Sequence, residues 1–347
     1  MAPFLSILLM QTMINIHFIY LYDTSILESI PYPVQTQSLS GVLGGRFIMK
    51  PQVKADLAML LVTLFWGSSY LFMQMGLTDL QTFNLIGLRF GIAFVIAALF
   101  FHKRLLKTTR KTIFHAFIMG AILFGVFATV TEGVKTTTAS QAGFLVSLTV
   151  ILVPLLSILL KNRPETRVFF GAGIALIGIG LLTLTKELHI TQGDALCMAT
   201  AVFYATHIIL TGRLAPQTDA ILLGIYQLGF AGLFGFLLSY LVETPKLPST
   251  PKAWLAVLAL SILCSAIGFV VQTVAQKYTS PTHTGLIFSL EPVFAALFAF
   301  LISGETLTVR GYIGAALVLI SVLIAEIDFM RWLTGKRSSL SKQDLPL

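Results

Sequence analysis

The sequence predicts an all-α integral membrane protein with ten transmembrane helices arranged as two inverted five-helix repeats. Its composition, the spacing of its apolar runs and an internal repeat support this fold class. Hydrophobic residues make up 56% of the 347 residues and charged residues only 11%, whereas a soluble domain carries about 25% charged residues. Because too few charges are present to solvate a globular surface, we exclude a cytosolic enzyme, a secreted disulfide scaffold and a nucleic-acid binder.

Ten apolar runs of roughly 17 to 25 residues follow one another from Ala55, each long enough to cross a hydrocarbon core about 30 Å thick. Short polar loops rich in Pro, Ser and Thr separate them, as at 161–167 and 243–251. The predicted spans are residues 55–76, 83–101, 112–131, 139–160, 168–184, 193–212, 219–242, 252–276, 281–302 and 309–327.

The net charge of +8 indicates the orientation of the chain rather than an acidic partner. Basic loops stay on the cytoplasmic side of a membrane. If the segment before the first span is cytoplasmic, 17 of the 23 Lys and Arg residues fall on that side and five on the other, with Arg89 inside a span. We therefore expect a multi-pass protein of the cytoplasmic (inner) membrane with both termini in the cytoplasm, ending in a basic tail at 328–347.

Residues 1–48 fit this pattern poorly. The apolar stretch at 3–22 has no basic residue ahead of it and contains polar side chains, so it makes a weak secretory signal. Met49 lies just before the first strong span. We therefore favour Met49 as the start of translation, so that residues 1–48 are not translated. The alternative is an extra interfacial or spanning helix.

The spans fall into two predicted repeats, residues 55–184 and residues 193–327. A shift of about 140 residues, roughly one five-helix unit of this length, aligns Trp66 with Tyr204 and Phe127 with Phe269. Because each half has an odd number of spans, the second half enters the membrane from the opposite side, which gives an inverted repeat. Such repeats are typical of secondary transporters, whose substrate site lies near mid-membrane between the halves.

Glu291 is the most central acid in any span and is followed by Pro292. A carboxylate at this depth is costly and normally faces a bundle interior or a wet cavity. Pro292 lacks an N–H and frees a carbonyl one turn earlier, so it predicts a local opening of the helix. The site could couple protons or accept a substrate amine, or Glu291 could be a structural carboxylate bonded to a neighbouring helix.

Arg89 lies in the second span, about two turns from its outer end. An arginine at a helix centre costs about 2.5 to 3.5 kcal/mol on insertion scales. It could bind an anionic group, pair with Glu291 or Glu132, or extend its charged group to the interface.

In the first span, Trp66, Ser69 and Tyr70 share one helical face, because positions three and four residues apart are neighbours on a helix. In the sixth span, Tyr204 and His207 share a face in the same way. Two matched aromatic and polar faces suit the walls of a cavity for an amphipathic or aromatic solute. Ordinary helix packing is the alternative for each residue alone.

Gln141 and Gln227 are further polar candidates that could line a pathway or join helices by hydrogen bonds. We expect no cofactor and no metal site, because the chain lacks a phosphate-binding glycine loop, an HExxH motif, a CxxC motif and a GxSxG motif. Cys197 and Cys264 lie inside apolar runs, where thiols usually act as small apolar packing groups.

Several sequence motifs resemble those of one transporter family. They are WGSS at 66–69, LRF at 88–90, SLEPVFAAL at 289–297, GE at 304–305 and GYIGAAL at 311–317. Through these motifs the chain resembles the EamA family of the drug/metabolite transporter (DMT) superfamily. The resemblance covers both repeats and is most specific in the second.

The resemblance implies ten helices in two inverted repeats, cytoplasmic termini and movement of small metabolites by alternating access. The cavity residues that it implies are Trp66, Ser69, Arg89, Tyr204 and Glu291. In the first repeat Thr149 stands where Glu291 stands in the second, which argues against a mechanism with symmetric paired carboxylates.

We therefore expect a secondary transporter, not an enzyme, that moves a small organic metabolite, an amino acid or a drug. Its expected partners are this solute, the lipid bilayer and no nucleic acid, while proton coupling and the choice between monomer and homodimer stay open. Two other classes also stay open. A membrane enzyme acting on lipid-linked substrates would need a nucleophile or metal cluster in the loops, and a structural or sensory subunit would need a stable partner.

Overall fold

The computed structural model describes residues 51–137, 139–161, 164, 166–183, 191–303 and 308–326. Within these residues every regular element is helical. The predicted N-terminal extension at 1–48 and the predicted basic tail at 328–347 lie outside the described residues.

Five helical segments form the first half. They are α1 (Pro51–Leu77), α2 (Thr82–Phe100), α3 (Arg110–Gly133), α4 in two parts, α4a (Ala139–Ser147) and α4b (Thr149–Leu159), and α5 (Thr166–Thr183). A short helix, His102–Leu105, joins α2 to α3.

Five more segments form the second half. They are α6 (Gln192–Leu214), α7 (Ala220–Val242), α8 (Pro251–Ala275), α9 in two parts, α9a (Pro281–Phe288) and α9b (Glu291–Ser303), and α10 (Val309–Glu326). The ends of these ten segments differ from the predicted spans by a few residues at most.

Seven of the described helices, α1 to α4 and α6 to α8, are long and apolar enough to cross a membrane. Helices α5 and α10 are shorter apolar helices, and α9 is interrupted at mid-length. The fold class predicted from the sequence is confirmed. We call the end of the bundle at which α1 begins the basic end, since its loops hold most of the Lys and Arg residues.

Polar side chains mark where several helices begin. Thr109, Thr191, Asp219, Thr250 and Ser280 each accept a hydrogen bond from a backbone N–H of the first turn that follows. The first N–H groups of a helix have no partner within the helix, so these caps stabilise the start. The loop residues that end one span therefore also fix the start of the next.

The helices pack as a two-fold symmetric pair of halves. Helix α2 packs on its repeat partner α7, and α5 packs on its partner α10. Helix α1 contacts α8 and α9 of the second half, and α6 contacts α3 and α4 of the first half in the same way. Each contact thus has a counterpart in which the two halves exchange roles.

Glycines allow close approach where partner helices cross. A Cβ atom at Gly235 would lie 2.6 Å from the backbone nitrogen of Gly87, and a Cβ atom at Gly314 would lie 2.5 Å from the carbonyl oxygen of Gly178. Small residues at such positions let backbones touch, which is how membrane helices gain packing contacts.

Two ion pairs, one at each end of the α2–α7 pair, join the halves. Lys246 Nζ lies 2.9 Å from Asp79 Oδ1, and Arg104 Nε lies 2.6 Å from Asp219 Oδ2 at the basic end. In both pairs the acid precedes the second helix of one half, and the base follows the second helix of the other half. Glu243 adds a further contact, because its carboxylate accepts the N–H groups of the first turn of α2.

Helices α4 and α9 are interrupted at equivalent positions of the repeat. The break in α4 falls at Leu148, and the break in α9 falls at Ser289 and Leu290. Pro292 is the second residue of α9b, where a missing N–H costs no helical hydrogen bond. Glu291 consequently begins α9b close to the middle of the α9 segment.

Candidate functional site

A small cavity lies at the centre of the bundle, between the two halves. Its free space is about 30 Å³, room for about one or two water molecules. The lining residues come from α1, α2, α3, α4a, α6, α8 and α9b, and they are Trp66, Ser69, Tyr70, Met73, Arg89, Val126, Phe127, Val130, Val146, Thr200, Tyr204, Phe269 and Glu291.

One face of α1 forms a wall of this cavity. Trp66, Ser69, Tyr70 and Met73 all line it, as their spacing along a helix requires. The structure therefore brings the predicted α1 candidates together in one place. Gly67, on another side of α1, packs so closely on Phe294 of α9b that a Cβ atom there would lie 2.6 Å from the Phe294 Cβ.

The indole of Trp66 is fixed by an unusual stretch of α8. Residues Leu260–Ile267 form a π-helix, in which each backbone bond spans one residue more than in an α-helix. Trp66 Nε1 donates a hydrogen bond of 2.7 Å to the carbonyl oxygen of Cys264 in this stretch. The bond ties α1 of the first half to α8 of the second half.

Aromatic rings surround Trp66. Its ring centroid lies 5.0 Å from that of Phe269, 4.8 Å from that of Phe288 and 6.0 Å from that of Tyr204. Edge-to-face and tilted contacts at such distances are favourable. Trp66, Tyr204 and Phe269 line the cavity and give it an apolar wall built from α1, α6 and α8.

Arg89 is buried, with 2% of its surface exposed. Its Nε donates a 2.7 Å hydrogen bond to the Ser265 hydroxyl, and its guanidinium carbon lies 4.2 Å from the centroid of Phe127. Within the described part of the chain, its two terminal nitrogens have no hydrogen-bond partner. A desolvated guanidinium gains about 2 kcal/mol from such a ring, which leaves those donors still unsatisfied.

Glu291 lines the cavity together with Arg89, and Tyr70 and Tyr204 lie near its carboxylate. Glu291 begins α9b, where the unpaired N–H groups of a helix start favour a negative charge. The described residues that line the cavity thus include one cation and one carboxylate, while Arg89 uses Ser265 rather than Glu291 as its hydrogen-bond partner.

Two predicted candidates lie outside the cavity lining. His207 is fully buried, and its Nε2 shares a 2.9 Å hydrogen bond with Gln227 Oε1. Gln227 Nε2 donates in turn to Thr273 Oγ1 at 3.0 Å. This network joins α6, α7 and α8, which is the helix-joining role left open for Gln227. The side chain of Gln141 lies outside the described residues, although its backbone belongs to α4a.

Sequence reasoning did not select Phe127, Phe269 or Ser265 as site residues. Phe127 and Phe269 line the cavity, and Ser265 holds Arg89 in place. The alignment of Phe127 with Phe269 in the repeat was the available signal, since the third helix of each half contributes the same ring to the cavity. Ser265 carried no comparable signal.

A second and larger cavity, which we call the vestibule, opens at the basic end. Its volume is about 720 Å³. The start of α5, the end of α6 and the segment between α8 and α9a contribute its charged residues, Arg167, Arg213 and Lys277. It is separate from the central cavity, because the two share no lining residue.

Comparison with known protein families gives a match to both halves of the chain. A model of the EamA-like transporter family matches residues 53–184 and again residues 191–326. The chain is 30% identical to an uncharacterized transporter of Archaeoglobus fulgidus over 275 aligned residues. The alignment covers 79% of this chain and 86% of the relative.

Matches of lower sequence identity also cover most of the chain. The uncharacterized transporter YetK of Bacillus subtilis is 24% identical over 302 residues, covering 82% of this chain and 90% of YetK. A crystal structure with 21% sequence identity superimposes with a TM-score of 0.67, covering 79% of this chain and 98% of the other. At that identity the structural likeness extends to the fold alone.

Proposed function

Because the chain belongs to the EamA-like transporter family, we propose that it is a secondary transporter of the cytoplasmic membrane that moves a small zwitterionic solute by alternating access. The solute class is an amino acid, or a related metabolite, with an apolar or aromatic side chain. Export is the direction that we propose.

The observation that carries this proposal is the pair of unsatisfied Arg89 nitrogens beside Glu291 in a buried cavity. Buried donors are nearly always hydrogen-bonded, so two on one guanidinium call for a partner. A carboxylate matches them, because a guanidinium offers parallel donors to its two oxygens. Glu291 can pair with an ammonium group of the same solute.

The aromatic wall supports the apolar part of the solute. Trp66, Tyr204, Phe269 and Phe127 face the cavity from both halves, and binding sites for small molecules combine such rings with a few polar groups. A solute held between them contacts both halves of the repeat, which is where transporters of this architecture bind their substrates.

The size of the cavity supports a conformational change. A free volume of about 30 Å³ admits water but no metabolite. The solute therefore enters through a state in which the halves separate at one end. Closed central sites of this kind are part of an alternating-access cycle.

The test is uptake into proteoliposomes containing the purified protein. We expect flux of phenylalanine or leucine and little flux of phenethylamine, which lacks the carboxylate, or of phenylpropionate, which lacks the amine. Arg89→Gln should weaken the apparent affinity for the amino acid about 30-fold, since a hydrogen bond to a charged group contributes about 2 kcal/mol and each 1.4 kcal/mol is tenfold.

Matched controls are Arg110→Gln and Glu132→Gln, which remove the same charges from exposed or half-exposed positions and should leave flux unchanged. Uptake with and without a pH gradient then decides whether protons are coupled through Glu291. If they are, Glu291→Gln abolishes the response to the gradient, whereas exchange at equal pH persists with a weaker apparent affinity, because the solute ammonium loses its charged partner. Absence of flux for every solute, or equal flux of all three analogues, would contradict the proposal.

A further inference from the structure

We propose that the vestibule at the basic end binds an organic anion through a carboxylate or phosphate group, at a site separate from the central cavity. This inference goes beyond the proposed transport of a zwitterion and does not depend on it. It rests on the volume, the charge and the helix geometry of the vestibule.

The vestibule is large enough for a metabolite. Its volume of about 720 Å³ lies within the range of about 300 to 1,000 Å³ that is usual for small-molecule sites. Its walls come from the starts of α1, α5 and α9a, the ends of α4b and α6 and the segment between α8 and α9a. All of these ends meet at the basic end of the bundle, so the vestibule opens to one side of the membrane.

The charged residues that line the vestibule in the described part of the chain are all basic. Arg167, Arg213 and Lys277 line it, and none of its lining residues in the described part of the chain is Asp or Glu. Arg213 makes one long bond of 3.4 Å from a terminal nitrogen to the carbonyl oxygen of Leu160. Lys277 is exposed at the rim. Clefts lined by one sign of charge concentrate ligands of the opposite sign.

The start of α9a adds to this positive field. Ser280 caps this helix, and residues 280–283 all line the vestibule. The N-terminal end of a helix carries a partial positive charge and favours anions. Thr282 and His283 also line the vestibule, and the Thr282 hydroxyl shares a 3.0 Å hydrogen bond with Ser280 Oγ at this helix start. Three cations and a helix start on separate elements thus converge on one cavity.

Two sources could supply such an anion, namely a soluble carboxylate or phosphate compound and the headgroup of an anionic phospholipid. Both present the same negatively charged oxygens. We therefore use Arg213→Gln together with Lys277→Gln as the test variant, because these two cations lie on different elements. Lys135→Gln together with Lys252→Gln removes the same charge at the opposite end and is the matched control.

The first measurement is calorimetric titration of the purified protein in an uncharged detergent with inorganic phosphate and with succinate. Ionic strength is held constant with chloride, since screening alone would mimic weaker binding. We expect saturable binding to the wild type and to the matched control, and binding at least about tenfold weaker in the test variant. Arg89→Gln should bind these anions as the wild type does, so a failure of the zwitterion proposal leaves this result unchanged.

The second measurement compares thermal stability in nanodiscs of phosphatidylcholine with and without phosphatidylglycerol. Stabilisation by phosphatidylglycerol that is lost in the test variant alone identifies a lipid headgroup as the anion, because ligands of the folded state raise its apparent stability. Size-exclusion chromatography checks that the variants fold. If the test variant and the matched control behave alike in both measurements, the vestibule is not an anion site and the proposal is overturned.

Discussion

Arg89 and Trp66 illustrate how single residues connect the two halves at the central cavity. Arg89 in α2 bonds to Ser265 in α8, and Trp66 in α1 bonds to the carbonyl oxygen of Cys264 beside it. Both bonds reach the π-helical stretch of α8. π-Helical turns frequently accompany functional sites, and this stretch joins Arg89 and Trp66 of the first half to the second half.

Gly268, just after that stretch, leaves room for the Trp66 indole. A Cβ atom at Gly268 would lie 2.8 Å from Trp66 Nε1. We expect Gly268→Ala to displace the indole, to break its bond to Cys264 and to destabilise the protein by about 1 to 3 kcal/mol, as overpacking does. Thermal unfolding of the purified protein measures the loss.

The matched control for this change is Gly173→Ala in α5, where a Cβ atom meets no atom within 4 Å. It should be neutral, or stabilising by about 0.5 to 1 kcal/mol, because alanine is favoured over glycine in a helix. Equal loss of stability in both variants would mean that the space around Gly268 is not limiting.

At the residue scale, the sequence identifies the charged residues of the central cavity more readily than the neutral residues that bond to them or pack around them. Arg89 and Glu291 stand out because a charge inside an apolar span is rare, and both line the central cavity. Ser265 and Phe288 could not be selected in this way, since serine and phenylalanine are common in membrane helices. His207 was selected as a lone polar residue, yet its partner Gln227 lies 20 positions away and became evident only with the packing of α6 on α7.

At the scale of helices, α2 and α7 cross so closely that their backbones are in direct contact. A larger residue at Gly235 would press on the backbone nitrogen of Gly87, which is part of a helix and cannot move alone. We expect Gly235→Val to separate α2 from α7 and to lower stability by about 1 to 3 kcal/mol or more. Gly173→Val, at an open position of α5, is the control, and thermal unfolding in detergent is the measurement.

Solute binding by the Gly235→Val variant is a second measurement, which shows whether the change at the crossing of α2 and α7 also reaches the central cavity. If α2 and α7 separate, Arg89 moves with α2, so binding of the transported solute should fall along with stability. Unchanged stability in Gly235→Val would show that the helices cross with more freedom than the close contact indicates.

The ends and order of the helices follow from the sequence, but their interruptions do so only partly. Pro292 predicted an opening in α9, and the interruption lies directly before it. In α4 the equivalent break at Leu148 is not followed by a proline at the corresponding distance. The π-helical stretch at Leu260–Ile267 contains neither glycine nor proline, so no residue within it indicated an interruption of α8.

At the scale of the whole molecule, the ion pair of Asp79 with Lys246 joins the halves opposite the basic end. The Lys246 ammonium and the Ser249 N–H hold the pKa of the Asp79 carboxyl below its ordinary value. A carboxyl with a lower pKa in the folded state stabilises the fold above its unfolded pKa of about 3.9, and this contribution is lost as the pH falls through the folded pKa.

We therefore expect Asp79→Asn to lower the melting temperature slightly at neutral pH, because exposed pairs contribute little. The difference from the wild type should shrink as the pH falls below about 4. Thermal unfolding between pH 7 and pH 3 would measure it. In a background of Lys246→Gln the effect of Asp79→Asn should become smaller, and full additivity of the two changes would indicate that they do not interact.

The number and order of the helices could be predicted from the sequence, whereas the state of the bundle, with a small central cavity and an open vestibule at one end, could not. Apolar length, basic loops and the repeat together indicate ten helices in two halves, because these properties are local or periodic. Whether the centre is closed and which end is open depends on a difference of a few kcal/mol between two arrangements of the same helices. No pattern in the sequence reports that difference.

The placement of the two ion pairs has a consequence for the ancestry of the fold. Each half contributes one acid, ahead of its second helix, and one base, after that helix, and each acid meets the base of the other half. Such reciprocal pairing is the defining property of an isologous dimer, in which one surface recognises a copy of itself. A single five-helix unit carrying both charges, inserted in both orientations, would already satisfy the two contacts. Fusion of two copies of such a gene would then require no new contact between the halves. Only the residues of the interior would have to diverge.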